Sequence, residues 1–129
     1  MGSTPALTKI DEAERLYQEA IREFENAKQS RNELRARDAC SKAWLGVVKA
    51  SEALFLIKGA KEAELPKSHR GMRYLLQSHA NKELRRLFFT TRDTLHIDGY
   101  YEGIIDFDEL PEYLDAAREY IDKIRDSAV

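Results

Sequence analysis

The residues best suited to chemistry are an arginine and a histidine four positions apart, Arg92 and His96. Side chains at that spacing share one face of a helix. A histidine exchanges protons near neutral pH, and an arginine is a permanent cation whose shape fits a phosphate. The pair could therefore cleave RNA without a metal, with His96 as acid or base and Arg92 stabilising the charge that develops on the phosphoryl group.

The same two residues also have a purely structural interpretation. His96 would then cap the end of its helix, and Arg92 would pair with Asp93 or with an acidic residue of the last helix. Spacing alone favours this structural interpretation over the catalytic one.

Charge is unevenly distributed along the chain. Residues 67–96 hold seven basic and two acidic side chains, whereas residues 97–129 hold three basic and ten acidic ones. A positive segment can hold phosphates without reading a base sequence. Alternatively, the acidic last helix lies beside it and neutralises it. The candidate RNA- or phosphate-binding residues are Lys67, Arg70, Arg73, Arg85, Arg86, Tyr100 and Tyr101, of which the two tyrosines could stack on a base.

Several classes of site are missing from the sequence. The single cysteine, Cys40, excludes an internal disulfide and falls on an apolar helical face, where a buried thiol is expected. His69 and His79 have no partner at metal-ligand spacing, and no glycine-rich phosphate loop or nucleophile elbow occurs. We therefore predict no cofactor and no metal, so that any catalysis would be metal-independent RNA cleavage.

Apolar residues recur at steps of three and four, which predicts amphipathic helices. Gly59 is placed to end the second helix, and Ser68 and Asn81 to begin the third and fourth. Two glycines within residues 98–103 predict a loop, and Ile104 and Ile105 a short extended piece. The expected helices run from about residue 5 or 8 to 29, 33 to 58, 68 to 77, 82 to 96 and 108 to 126.

These elements predict an all-α fold, an antiparallel up-and-down bundle of four to five helices with a long N-terminal helical hairpin. Residues 1–129 fit one domain, in which residues 1–7 are expected to be flexible and Trp44 to anchor the core. No apolar run approaches the length of a membrane span, and no signal peptide is recognised, so we predict a cytoplasmic protein.

Parts of the chain resemble the HEPN superfamily, and within it the small archaeal proteins of the PaREP type. The resemblance spans roughly residues 8–127 and includes Gly59, where the second helix ends. The segments that carry it are Ser41-Lys42-Ala43-Trp44, Ala50-Ser51-Glu52-Ala53-Leu54, Leu65-Pro66-Lys67-Ser68-His69, Arg92-Asp93-Thr94-Leu95-His96 and Tyr100-Tyr101.

The resemblance implies a helical bundle that commonly dimerises. Many members of the superfamily are metal-independent RNases, often toxins beside a small nucleotidyltransferase partner, whereas others have lost the catalytic residues and bind RNA, nucleotides or proteins. Their signature arginine and histidine usually stand further apart than the three intervening residues found here. The expected function is an HEPN-like binding module with a degenerate catalytic motif. The alternatives are an active RNase that uses Arg92 and His96, and a structural adaptor without nucleic-acid contact.

A homodimer is the expected assembly, because Phe55 and Phe89 are apolar residues away from the main helical stripes. RNA and a nucleotidyltransferase-like protein are the other candidate partners, and no membrane association is expected.

Overall fold

In the computed structural model, which describes residues 4–128, the chain folds as the predicted all-α bundle. Within that range it forms five α-helices and one π-helix and no strand, and no helix is both long enough and apolar enough to cross a lipid bilayer. The α-helices are α1 (Thr4–Ser30), α2 (Glu33–Ile57), α3 (His69–His79), α4 (Lys82–Thr91) and α5 (Leu110–Ser127). A 3₁₀ turn (Glu62–Glu64) lies between α2 and α3, and the π-helix, named the π segment below, covers Arg92–Tyr101.

Helix α1 begins earlier than the sequence indicated. Residues 4–7, expected to be flexible, form its first turn, where the Thr8 hydroxyl donates to the carbonyl of Thr4 at 3.0 Å and Ala6 is fully buried. These four positions are therefore part of the helix, and the expected flexibility of residues 1–7 stays a prediction. Residues 1–3 lie outside the described residues.

The first two helices form the predicted hairpin along a seam of alanines. Both helices place an alanine at every seventh position, and each of these side chains is at most 1% exposed. The seam residues are Ala6, Ala13, Ala20 and Ala27 on α1 and Ala36, Ala43 and Ala50 on α2. Because alanine projects a single carbon, the two backbones approach closely: a Cβ added at Gly46 would lie 3.1 Å from the carbonyl oxygen of Ala13. The hairpin is thus a closely packed support for the shorter helices.

Local capping sets where the shorter helices begin. The Ser68 hydroxyl accepts from the N–H of Gly71 at 3.1 Å, and the Asn81 side chain accepts from the N–H of Leu84 at 2.8 Å, which confirms both predicted N-caps. Gly59, which follows the C-terminal end of α2, has φ +105°, the left-handed conformation expected there. As a result of the Ser68 cap, α3 begins with His69.

Helix α5 closes the bundle against α2 and α4. The fully buried Tyr120 has its hydroxyl 2.6 Å from that of Ser51. Ser51 donates its own proton to the carbonyl of Val47, so Tyr120 is the donor of the pair. At the outer edge, the guanidinium fork of Arg118 binds the Glu14 carboxylate and lowers the pKa of Glu14 to about 2. These two contacts join α5 to both helices of the hairpin.

The largest departure from the expected fold is the π segment. The sequence predicted a helix up to His96 followed by a loop, but α4 ends at Thr91 and the π segment continues to Tyr101. At its end, the N–H of Glu102 donates to the carbonyl of Ile97 at 2.9 Å, five residues back. The prediction of a loop over residues 98–101 was therefore wrong.

Two long-range contacts hold the π segment against α2. Gly99 lies against Cys40, where an added Cβ would come within 2.7 Å of the Cys40 sulfur. The guanidinium of Arg37 donates to the carbonyl oxygen of Tyr100 at 2.6 and 3.0 Å and to that of Tyr101 at 3.2 Å. Arg37 therefore supplies donors to carbonyls that have no partner at a helix end.

The predictions for individual apolar residues have mixed outcomes. Trp44 is buried in the core as expected, and Cys40 is fully buried, which raises the pKa of its thiol to about 12 and leaves it inert. Ile104 is exposed and belongs to no strand. Phe55 is fully buried, and Phe89 is half-buried, so the pair does not form the exposed apolar surface from which we expected a dimer.

Candidate functional site

Three side chains of the π segment meet one side chain of α3 beside Trp44. The His96 ring stacks on Trp44 of α2, with centroids 5.0 Å apart and planes inclined by 19°. Tyr101 meets the same imidazole edge-on at 4.8 Å, and His69 lies 5.4 Å from it. His69, His96 and Tyr101 line a cavity of about 470 Å³, and Arg92 lines it as well. We refer to His69, Arg92, His96 and Tyr101 as the histidine site.

The π winding determines which tyrosine reaches His96. In an α-helix, the residue four positions on, Tyr100, would lie next to the imidazole. Hydrogen bonds of a π-helix join residues five apart, which brings Tyr101 there instead. Tyr100 contacts Tyr101 edge-on at 5.3 Å, and 37% and 64% of the surfaces of Tyr100 and Tyr101 are exposed. Both tyrosines are therefore near the histidine site with ring surface open to solvent.

His96 is held in its neutral form at pH 7. Partial burial lowers its pKa from the ordinary value, and electrostatic repulsion from the neighbouring His69 and Arg92 side chains lowers it further. None of the described residues forms a hydrogen bond with its ring nitrogens, so the helix cap of the structural interpretation is not seen. A neutral imidazole with a free lone pair is the form that a general base requires.

A groove of about 280 Å³ beside the histidine site is lined by three arginines, Arg70, Arg73 and Arg92. We refer to it as the arginine groove. Among residues 4–128, the side chains of Arg70 and Arg92 have no hydrogen bond or ion pair, and the Arg73 guanidinium lies over the ring of Phe89 at 5.3 Å. The pairing of Arg92 with Asp93 or α5 is thus not present. No acidic side chain of the described residues lines the arginine groove, whereas Glu102 lines the cavity of the histidine site together with Arg92.

The other basic residues singled out from the sequence are dispersed. Lys67 lines a cavity that adjoins the arginine groove at His69. Arg85 donates to the carbonyl of Ala80. Arg86 lines a separate cavity together with three acidic residues of α5. The acidic last helix therefore faces Arg86 but not the arginine groove.

Three residues at the site were not assigned a functional role from the sequence. His69 was considered only as a metal ligand, Trp44 was assigned to the core alone, and nothing in the local pattern distinguishes Arg37. The one local signal was the Ser68 cap, which predicts that His69 begins α3. The contact of His69 with His96 depends on how α3 packs on α2 and on the π segment.

No protein-family model matches the chain, and no curated protein matches it. The resemblance to the HEPN superfamily therefore stays a prediction. Among residues 4–128, the His, Cys, Asp and Glu side chains form no group of three or more that could hold a metal ion.

The lowered pKa of His96 can be measured through Trp44, the only tryptophan of the chain. A protonated imidazole quenches indole fluorescence more strongly than a neutral one, so we expect emission to fall on acidification with a midpoint below pH 6.5. In His69→Ala the midpoint should rise, because a like charge is removed. His79→Ala is the matched control and should change nothing, because His79 packs on Phe55 instead. A wild-type midpoint at or above 6.5 would contradict the assigned environment.

Proposed function

We propose that this chain is an HEPN-like RNA-binding module that holds phosphates in the arginine groove. The observation that carries the proposal is the convergence of Arg70, Arg73 and Arg92 on one groove without acidic partners among the described residues. Guanidinium groups bind phosphate oxygens through two parallel hydrogen bonds, and no base sequence has to be read for this contact.

The surroundings of the groove support a single strand as the ligand. Two partly exposed tyrosines lie at the neighbouring histidine site, and aromatic rings stack on bases that are not already stacked in a duplex. An arginine groove next to aromatic rings is the combination found in proteins that follow a nucleic-acid strand by its backbone and its bases.

Salt-dependent binding of a labelled single-stranded RNA, followed by fluorescence anisotropy, tests this function. We expect Arg70→Ala and Arg92→Ala each to weaken binding and to reduce the slope of log K against log salt by about 0.7, the value for one lost phosphate contact on a single strand. Arg86→Ala removes the same charge from α4 but lies among acidic residues, so it should leave the slope unchanged.

Two results would exclude the proposal. One is the absence of salt-sensitive binding by the wild type, which would favour the structural adaptor. The other is an equal loss of affinity in Arg86→Ala and Arg92→Ala, which would mean that net charge and not the arginine groove determines binding.

A second candidate function, metal-independent RNA cleavage, is favoured by the contact of His69 with His96. Neutral His96 would accept the proton of a ribose 2′-hydroxyl, whose oxygen attacks the adjacent phosphorus. The bond to the 5′-oxygen then breaks, and protonated His69 donates a proton to that oxygen, leaving a 2′,3′-cyclic phosphate and a 5′-hydroxyl. Arg92 would stabilise the charge on the phosphoryl oxygens. The HEPN resemblance also implies a homodimer and a nucleotidyltransferase-like partner, and both stay predictions.

A further inference from the structure

A third cavity, of about 260 Å³, opens between α2 and the start of α3. Its walls are largely apolar, with Trp44 and Val48 on α2 and Pro66 and Met72 around the start of α3. Lys67, Ser68 and His69 supply the polar groups. An apolar cleft that includes an aromatic ring and a few polar groups on one side is typical of sites for flat organic rings.

This cavity adjoins the two sites already described at His69. His69 lines all three: the cavity, the arginine groove and the histidine site. A ligand that fills the cavity therefore lies next to a groove for phosphates on one side and next to His96 on the other. A nucleotide has this arrangement of groups, because its flat base and its phosphate are joined by a single sugar.

We propose that the cavity between Trp44, Val48 and Met72 holds one unpaired nucleobase of an RNA strand whose phosphate lies in the arginine groove. The inference rests on the RNA-binding function proposed above and adds to it the place where one base of the strand binds. A base in a duplex cannot enter, because it would have to leave its stack and its pairing partner. Lys67 is placed to donate a hydrogen bond to an acceptor on the base edge.

The test compares two short strands that carry the same number of phosphates, a tetramer of uridylate and the same tetramer without bases. Wild-type protein should bind the uridylate strand about 5- to 150-fold more tightly, the range for one stacked base. In Val48→Phe, which fills the cavity, this preference should fall to the part that stacking on Tyr100 and Tyr101 supplies, while binding of the base-free strand stays unchanged. Leu45→Phe, on an exposed position of the same helix, is the control and should keep the preference.

A second measurement needs no substitution. Trp44 is the only tryptophan, so its emission should change when the uridylate tetramer binds and stay constant with the base-free tetramer. A preference for uridylate that is as large in folded Val48→Phe as in the wild type would place the bases on Tyr100 and Tyr101 only, and would overturn this inference alone. A failure of both tetramers to bind in a salt-sensitive manner would instead overturn the RNA-binding function together with it.

Discussion

Replacing Gly99 with alanine should lower the free energy of unfolding by about 2–3 kcal/mol, which is in the upper part of the range of about 1–3 kcal/mol for overpacking substitutions. The new Cβ would lie 2.7 Å from the sulfur and 3.1 Å from the Cβ of Cys40, as well as 3.2 Å from the carbonyl oxygen of Thr94. Rotation of the thiol relieves only the first of these contacts, so the π segment has to move away from α2. Thermal or urea unfolding followed by circular dichroism measures the loss.

Cys40→Ala provides the matched background for this substitution. It removes the sulfur and keeps the Cβ, so we expect it to reduce the cost of Gly99→Ala without removing it. The π segment also carries His96, so the pH dependence of Trp44 emission should change in Gly99→Ala and return towards normal in the double variant. Equal costs in both backgrounds would mean that Gly99 is required for another reason than its approach to Cys40.

The second large effect concerns catalysis by the histidine site. If the protein cleaves RNA in the presence of EDTA, His96→Ala and His69→Ala should each slow cleavage by about 10²- to 10⁴-fold, the usual contribution of a general acid or base. The rate should follow a bell-shaped pH profile, because one histidine has to be neutral and the other protonated. His79→Ala, which removes the third histidine, should have the wild-type rate.

Each possible result of that assay selects one function. Cleavage that persists in His96→Ala, or that depends on a divalent ion, would exclude the mechanism. Intact RNA after long incubation with concentrated wild-type protein, together with salt-sensitive binding, would leave the binding module. If His69→Ala keeps the wild-type cleavage rate while His96→Ala loses it, a group other than His69 donates the proton to the leaving 5′-oxygen.

The parts of the fold that could be predicted are those set by neighbouring residues. The helical hairpin follows from apolar periodicity, and the starts of α3 and α4 follow from Ser68 and Asn81, whose side chains bond to backbone N–H groups three positions on. The pairing of Arg92 with His96 on one face was predictable for a similar reason, since residues four apart stay close in both an α-helix and a π-helix.

The rest of the site depends on contacts between residues far apart in the chain. A glycine at position 99 is compatible with a loop and with a close helix contact, so the sequence around it does not distinguish the two structures. The close contact becomes evident only from the approach of Gly99 to Cys40. Arg37 reaches carbonyls more than sixty positions away, a contact that no local pattern indicates. His69 becomes part of the site only because α3 packs beside the π segment.

The π segment also bears on how such a site can change during evolution. A turn of π-helix accommodates one residue more than a turn of α-helix, which is the result expected when a single codon is inserted into a helical stretch. If one residue between His96 and Tyr101 were deleted, the stretch could wind as an α-helix. Tyr101 would then be four positions after the histidine, the position that Tyr100 has now. The number of residues between two functional positions is then a poor guide to their separation in space. Relatives of this protein could differ in motif length while presenting the same side chains to a ligand.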